Sequence, residues 1–71
     1  MSSEEQAQAR KELGEKFRAA RETAKMTQQQ VADAAAVHVN FYARVERGEE
    51  NPSFEKLRGI MKVLKIKCLE L

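Results

Sequence analysis

Thr27-Gln-Gln-Gln-Val-Ala-Asp-Ala-Ala-Ala-Val-His-Val-Asn-Phe-Tyr-Ala-Arg-Val-Glu-Arg-Gly48 reads as two short helices joined by a tight turn. Thr27 followed three residues later by Gln30 is a capping box: the hydroxyl accepts a first-turn N–H, and the Gln30 side chain reaches back to the Thr27 backbone. Val31, Ala32 and Ala35 then form an apolar stripe at helical spacing. Ala32 is small enough to let a crossing helix approach closely. Ala36-Val37 is the turn, with Val37 as an apolar plug. Phe41, Tyr42 and Val45 recur at helical spacing and mark the buried side of the second helix. That helix ends at Gly48, the residue type that most readily takes the left-handed conformation at a helix end.

Outward from this unit, the spacing predicts a first helix from about Ser3 to Ala24, with Leu13, Phe17, Ala20 and Ala24 as its core stripe. Ser2-x-x-Glu5 and Ser3-x-x-Gln6 are rival capping boxes at its start, and Glu4-Glu5 suits the positive end of the helix dipole. The stretch before Leu13 is polar almost all round, so it either projects as a solvated extension or frays. A fourth helix follows Pro52, capped by Ser53, and buries Phe54, Leu57, Ile60 or Met61, and Leu64. Gly59 either weakens that helix or permits close packing. Lys67-Cys-Leu-Glu-Leu71 has room for at most a truncated fifth helix.

These residues resemble the Cro/repressor-like (Xre-type) helix-turn-helix proteins over residues 13–66. The likeness rests on Leu13-Gly-Glu-Lys-Phe17 and Arg21 in the first helix, and on Thr27-Gln28 and Val31-Ala32 in the second. Val45-Glu-Arg-Gly48 closes the third, and Asn51-Pro-Ser53 with residues 57–64 supplies the fourth. Two positions depart from the family pattern. Ala36 stands where Gly is usual, which implies strain of about 1 kcal/mol if its φ is positive. His38 stands where Ser or Thr is usual, as a replacement cap for the third helix. The resemblance implies an all-α, compact lambda-repressor-like DNA-binding domain of four to five helices. Residues 1–71 would form a single domain: 1–12 a polar extension of the first helix, 27–47 the helix-turn-helix, and 67–71 a short C-terminal segment.

The implied function is sequence-specific transcriptional regulation, with the helix at about 38–47 in the major groove of double-stranded DNA. On that helix the resemblance places base contacts at Val39, Asn40 and Arg44, and Ala43 shares the face. Asn can bond adenine N6 and N7 together, Arg guanine O6 and N7, and Val or Ala can touch a thymine methyl. Phosphate contacts fall to Thr27 and Gln28 at the start of the second helix, to His38, and to Arg47 and Asn51. Phe41 reads as core rather than base contact. Arg21 and Glu46 are implied as an ion pair fixing the recognition helix against the first helix.

Composition constrains the alternatives. The chain has 71 residues, 42% hydrophobic and 34% charged, with a net charge of +2 and pI ≈ 8.9, only a weak sign of nucleic-acid binding. A domain this small buries only ~60% of its unfolded surface, so a partner subunit would help it. One Cys and one His give neither a disulfide framework nor a zinc site, and Cys68 reads as a small hydrophobe. No metal, cofactor or small-molecule ligand is implied, and no constellation has catalytic spacing. There is no apolar run of membrane-spanning length and no signal core, so a cytoplasmic, nucleoid-associated location is expected.

Charge also tempers the expected affinity. Between Thr27 and Val45 only Asp33 and Arg44 are charged, and Glu49-Glu50 sits where a basic pair would help against phosphate. A single copy should bind weakly, and a homodimer on a palindromic operator would compensate. Val63, Ile66, Leu69 and Leu71 are the expected two-fold interface, with Leu69 and Leu71 central; the competing reading has the C-terminal residues close the monomer's own core. The alternative function is a helix-turn-helix-fold protein-interaction module, antitoxin-like or bridging, with weak DNA binding.

Overall fold

A computed structural model describes residues 3–66. Four helices make up the described residues: α1 (Ser3–Thr23), α2 (Gln28–Ala34), α3 (Val39–Glu46) and α4 (Phe54–Leu64). Phe17, Val31, Ala32, Tyr42, Val45, Ile60, Met61 and Leu64 form the buried core, to which all four helices contribute. The segment before Leu13 is helical, and among its mostly exposed residues Ala7 and Arg10 are half-buried. Leu69 and Leu71, and any fifth helix, lie outside the described residues.

The starts follow the sequence closely. At α2 the Gln30 N–H donates to the Thr27 hydroxyl at 3.1 Å and the Thr27 N–H donates to the Gln30 amide oxygen at 2.8 Å, completing the capping box. At α3 His38 replaces a hydroxyl, its Nδ1 accepting the Asn40 N–H at 3.0 Å. At α4 the Ser53 hydroxyl accepts the Lys56 N–H at 3.3 Å.

All four helices end in one way: a residue with positive φ lets two N–H groups reach back to otherwise unpaired carbonyls. After α2, Ala36 (φ 59°) donates to the Asp33 carbonyl and Val37 to the Ala32 carbonyl at 2.9 Å. Lys25 (φ 58°), Gly48 (φ 76°) and Lys65 (φ 58°) turn α1, α3 and α4 with the matching bonds Met26 to Arg21, Glu49 to Arg44 and Ile66 to Met61. Only Gly48 takes this conformation without steric cost. For Ala36 the left-handed cost of ~1–2 kcal/mol exceeds the ~0.4–1 kcal/mol that Gly adds through unfolded-chain entropy. Ala36→Gly is therefore expected to raise stability by about 0.5–1 kcal/mol, seen as a Tm increase of about 4 °C. An unchanged or lower Tm would mean that the turn relaxes its Ala without strain.

Two core assignments need correction. Ala24 is exposed, because α1 stops at Thr23 and the reversal at Lys25 carries Ala24 away from the core; Met26, half-buried, packs there instead. Phe54 is 69% exposed. Burial along α4 rises from Phe54 through half-buried Leu57 to Ile60, Met61 and Leu64, so the first turn of the helix overhangs the core edge. Arg58, one turn on, lies over the Phe54 ring at 5.8 Å. Both Ile60 and Met61 are buried. At Gly59 a Cβ would meet the Ala35 carbonyl oxygen at an ordinary 3.6 Å, so close packing does not require glycine there.

Gly14 is different. It is buried where α1 crosses the end of α3, and a Cβ there would overlap the backbone carbonyls of Val45 and Glu46. The missing side chain is what lets the two helices touch backbone to backbone.

Candidate nucleic-acid interface

α3 divides cleanly around its axis. Tyr42 and Val45 face the core, and on the opposite side Asn40, Arg44 and Arg47 form an exposed stripe at the spacing i, i+4, i+7. Val39 and Ala43 lie at the margin: both are half-buried, and Val39 packs against the core. Of the four residues expected at the bases, Asn40 and Arg44 are thus the two that are exposed. Phe41 flanks the other margin, half-buried against the core, with the Lys56 ammonium over its ring at 4.7 Å.

Behind this stripe the Arg21 Nε donates to Glu46 Oε2 at 2.6 Å and its Nη2 to Glu46 Oε1 at 3.2 Å, a two-pronged pair between α1 and α3. The side chains are 16% and 4% exposed. Arg21 Nη1 also donates to the Met26 carbonyl at 3.0 Å, tying in the loop before α2. Burial alone would push the Glu46 carboxyl up, but hydrogen bonding from Arg21, reinforced by Gln28, outweighs it and holds the carboxyl below its ordinary range. The Glu46 hydrogen bond raises the Arg21 pKa in return. Burial, with the carboxylate alongside, pushes the Tyr42 phenol well up, so the ring stays neutral. Its hydroxyl is buried next to the pair without a partner in hydrogen-bond geometry.

Gln28 is half-buried and its Nε2 donates to Glu46 Oε1 at 3.0 Å, which orients the side chain at the start of α2. An amide nitrogen carries two hydrogens, so one donor remains for an anion. Thr27 is exposed, with its hydroxyl engaged in the cap. The His38 Nδ1 is engaged likewise. Arg18, Arg21, Gln28, Glu46 and Arg47 line a cleft of ≈ 240 Å³ between α1, α2 and the end of α3. Arg18 had no signal in the sequence beyond its charge, and on the surface it pairs with Glu22 at 3.0 Å.

The loop after α3 brings acid to this face. Arg44 Nε donates to Glu50 Oε2 at 3.1 Å. Arg47 Nε donates to Glu49 Oε2 at 2.8 Å, and its Nη2 to Glu49 Oε1 at 3.4 Å. Hydrogen bonding from Arg47 lowers the Glu49 carboxyl. The Glu49-Glu50 pair is visible in the sequence; its partnering with these two arginines is not. Asn51 is exposed and lines a shallow cleft with Gln6, Ala9, Arg10 and Leu13 of α1, beside rather than within the Arg44–Arg47 stripe.

Of the expected dimer contacts, Val63 and Ile66 are half-buried against the core. They line a groove of ≈ 630 Å³ with Ala20, Ala24, Met26 and neighbouring residues. Among the described residues no helix is long and apolar enough to cross a membrane, and no cluster of His, Cys, Asp and Glu could hold a metal.

A family model described as helix-turn-helix matches residues 17–71, which takes in α2, the turn and α3. Comparison with curated proteins and with solved structures gives no match.

Proposed function

The chain belongs to the Cro/repressor-type helix-turn-helix family of DNA-binding regulators, and from that premise we propose that it is a sequence-specific transcriptional regulator reading the major groove with α3. The observation that carries this reading is the exposed Asn40–Arg44–Arg47 stripe on the side of α3 facing away from the core. Asn40 and Arg44 read bases, with Val39 and Ala43 as margin contacts to thymine methyls. Gln28 grips phosphate through its remaining amide hydrogen, with Thr27, His38, Arg47 and Asn51 around it. Arg21 and Glu46 hold the reading helix at a fixed angle and touch no base.

The charge near α3 is modest, so tight binding calls for two copies. The groove beside Val63 and Ile66 supports a homodimer through the C-terminal side of the fold; Leu69 and Leu71, expected at its centre, lie outside the described residues. Two-fold symmetry would set the reading helices about 34 Å apart, one turn of duplex, on a palindromic operator. A regulator of this kind would act at the nucleoid of a prokaryotic or phage-infected cell, a cytoplasmic location.

Selection from a random-sequence duplex pool, followed by sequencing, tests all of this at once. The expected result is a motif of two inverted half-sites. Asn40→Ala and Arg44→Ala should each lose ~1–3 kcal/mol of discrimination at one position per half-site, whereas Gln28→Ala weakens every sequence alike. A single unrepeated half-site would remove the dimer. An unchanged motif in both α3 variants would remove α3 as the reading helix. No enrichment at all would favour the protein-interaction module.

A further inference from the structure

We infer that Glu49 and Glu50 set how selectively this protein binds DNA, by treating the two arginines of the exposed stripe differently. The inference rests on the DNA-binding reading and adds two residues to it. The loop that carries both carboxylates is fastened at its first residue. Gly48 turns the chain at φ 76°, and the Glu49 N–H then donates to the Arg44 carbonyl at 2.8 Å, which fastens the loop to the last turn of α3.

The two contacts differ in geometry. Glu50 engages only the Nε of Arg44, at 3.1 Å. The guanidinium is planar, so a carboxylate at Nε fixes its orientation and leaves the two terminal nitrogens to form the parallel pair that guanine O6 and N7 require. Glu50 is a positioning residue for Arg44. Glu49 instead takes the Nε–Nη2 edge of Arg47, at 2.8 and 3.4 Å. That takes one of the two forks with which a guanidinium can grip a phosphate and sets a negative charge beside the other, so Glu49 competes with the DNA backbone for Arg47. Competition at a phosphate contact weakens all sequences equally, and orientation at a base contact favours one. Together they lower sequence-independent binding and preserve discrimination.

Anisotropy titrations of the selected duplex and of a scrambled duplex over a range of salt concentrations test this. Glu49→Gln is expected to tighten scrambled-duplex binding by about two- to fivefold per protomer and to steepen the dependence of log K on log salt by about 0.9 per protomer. Glu15→Gln, an equal change of charge at an exposed site on α1, reports the effect of net charge alone. In an Arg47→Gln background Glu49→Gln should do nothing more than Glu15→Gln. Glu50→Gln should flatten the preference at the base position assigned to Arg44 while the other positions keep theirs. The inference is overturned if Glu49→Gln matches Glu15→Gln, if its effect survives without Arg47, or if Glu50→Gln leaves that preference intact. A wild-type protein that binds neither duplex at low salt would remove the DNA-binding reading itself, a result distinct from each of these.

Discussion

Glu46→Ala is expected to destabilise the fold by ~3–5 kcal/mol, because it strands a guanidinium that is largely out of water. Arg21 has 16% of its side chain exposed and spends two nitrogens on the carboxylate. After the substitution its remaining bond is to the Met26 carbonyl, and the Gln28 amide loses its acceptor. For a domain of this size each kcal/mol is worth about 4–8 °C in Tm, so the variant should melt at least about 12 °C lower. Arg21→Ala should cost a similar amount, since it leaves a carboxylate that is 4% exposed without its cation. The double variant should be less damaged than the sum, because neither charge is then stranded. Additive losses below about 1 kcal/mol would mean that the pair behaves as an exposed one.

The same pair fixes a pH dependence. The folded Glu46 carboxyl lies below its ordinary range, so the unfolded chain takes up the proton first. The stabilisation is fully present above the unfolded carboxylate value, roughly 4.3, and is lost as pH falls through the lower folded value. Stability of the wild type should therefore fall on acidification below about pH 4.3. Glu46→Gln should start less stable at neutral pH and lose less on acidification. An equal acid loss in the two proteins would assign it to other carboxylates.

How far the sequence could be read depended on whether a feature was local. The Thr27–Gln30 box, the Ser53 cap and the Gly48 turn are contacts within a few residues, and each was legible from residue type and spacing. So was the ring of core positions, apart from the ends: Ala24 and Phe54 fit the helical period but lie where the helix stops or overhangs. The turns at Lys25 and Lys65 were not legible, because lysine gives no sign of a positive φ. Nor were the contacts of Arg44 with Glu50 and Arg47 with Glu49, which depend on how the Gly48 turn aims the following loop. Arg21 with Glu46 spans 25 residues and was reachable only through family resemblance. Gln28, expected to face phosphate, is also bonded to that pair, and nothing local to Gln28 announces it.

Gly14→Ala is the second large effect, and it comes from the smallest change in composition. In an exposed helix interior the substitution would help, by roughly 0.5–1 kcal/mol of helix propensity. Here the new methyl would overlap the Val45 and Glu46 carbonyls. Those atoms are backbone in the last turn of α3, so no rotamer change relieves the clash; the helices must separate. Overpacking of this kind costs ~1–3 kcal/mol and occasionally more, and the rigidity of both partners puts the expected net loss at about 3 kcal/mol. Separation would also lengthen the Arg21–Glu46 contacts, since the same two helices carry them. Gly14→Ala should therefore reduce the coupling measured between Arg21 and Glu46 as well as lowering Tm. If α3 tilts without unfolding, selected-duplex affinity should fall more than scrambled-duplex affinity, because base reading depends on the angle of α3 and phosphate attraction does not. A Gly14→Ala protein with wild-type or higher Tm would show that α1 and α3 do not meet at this position.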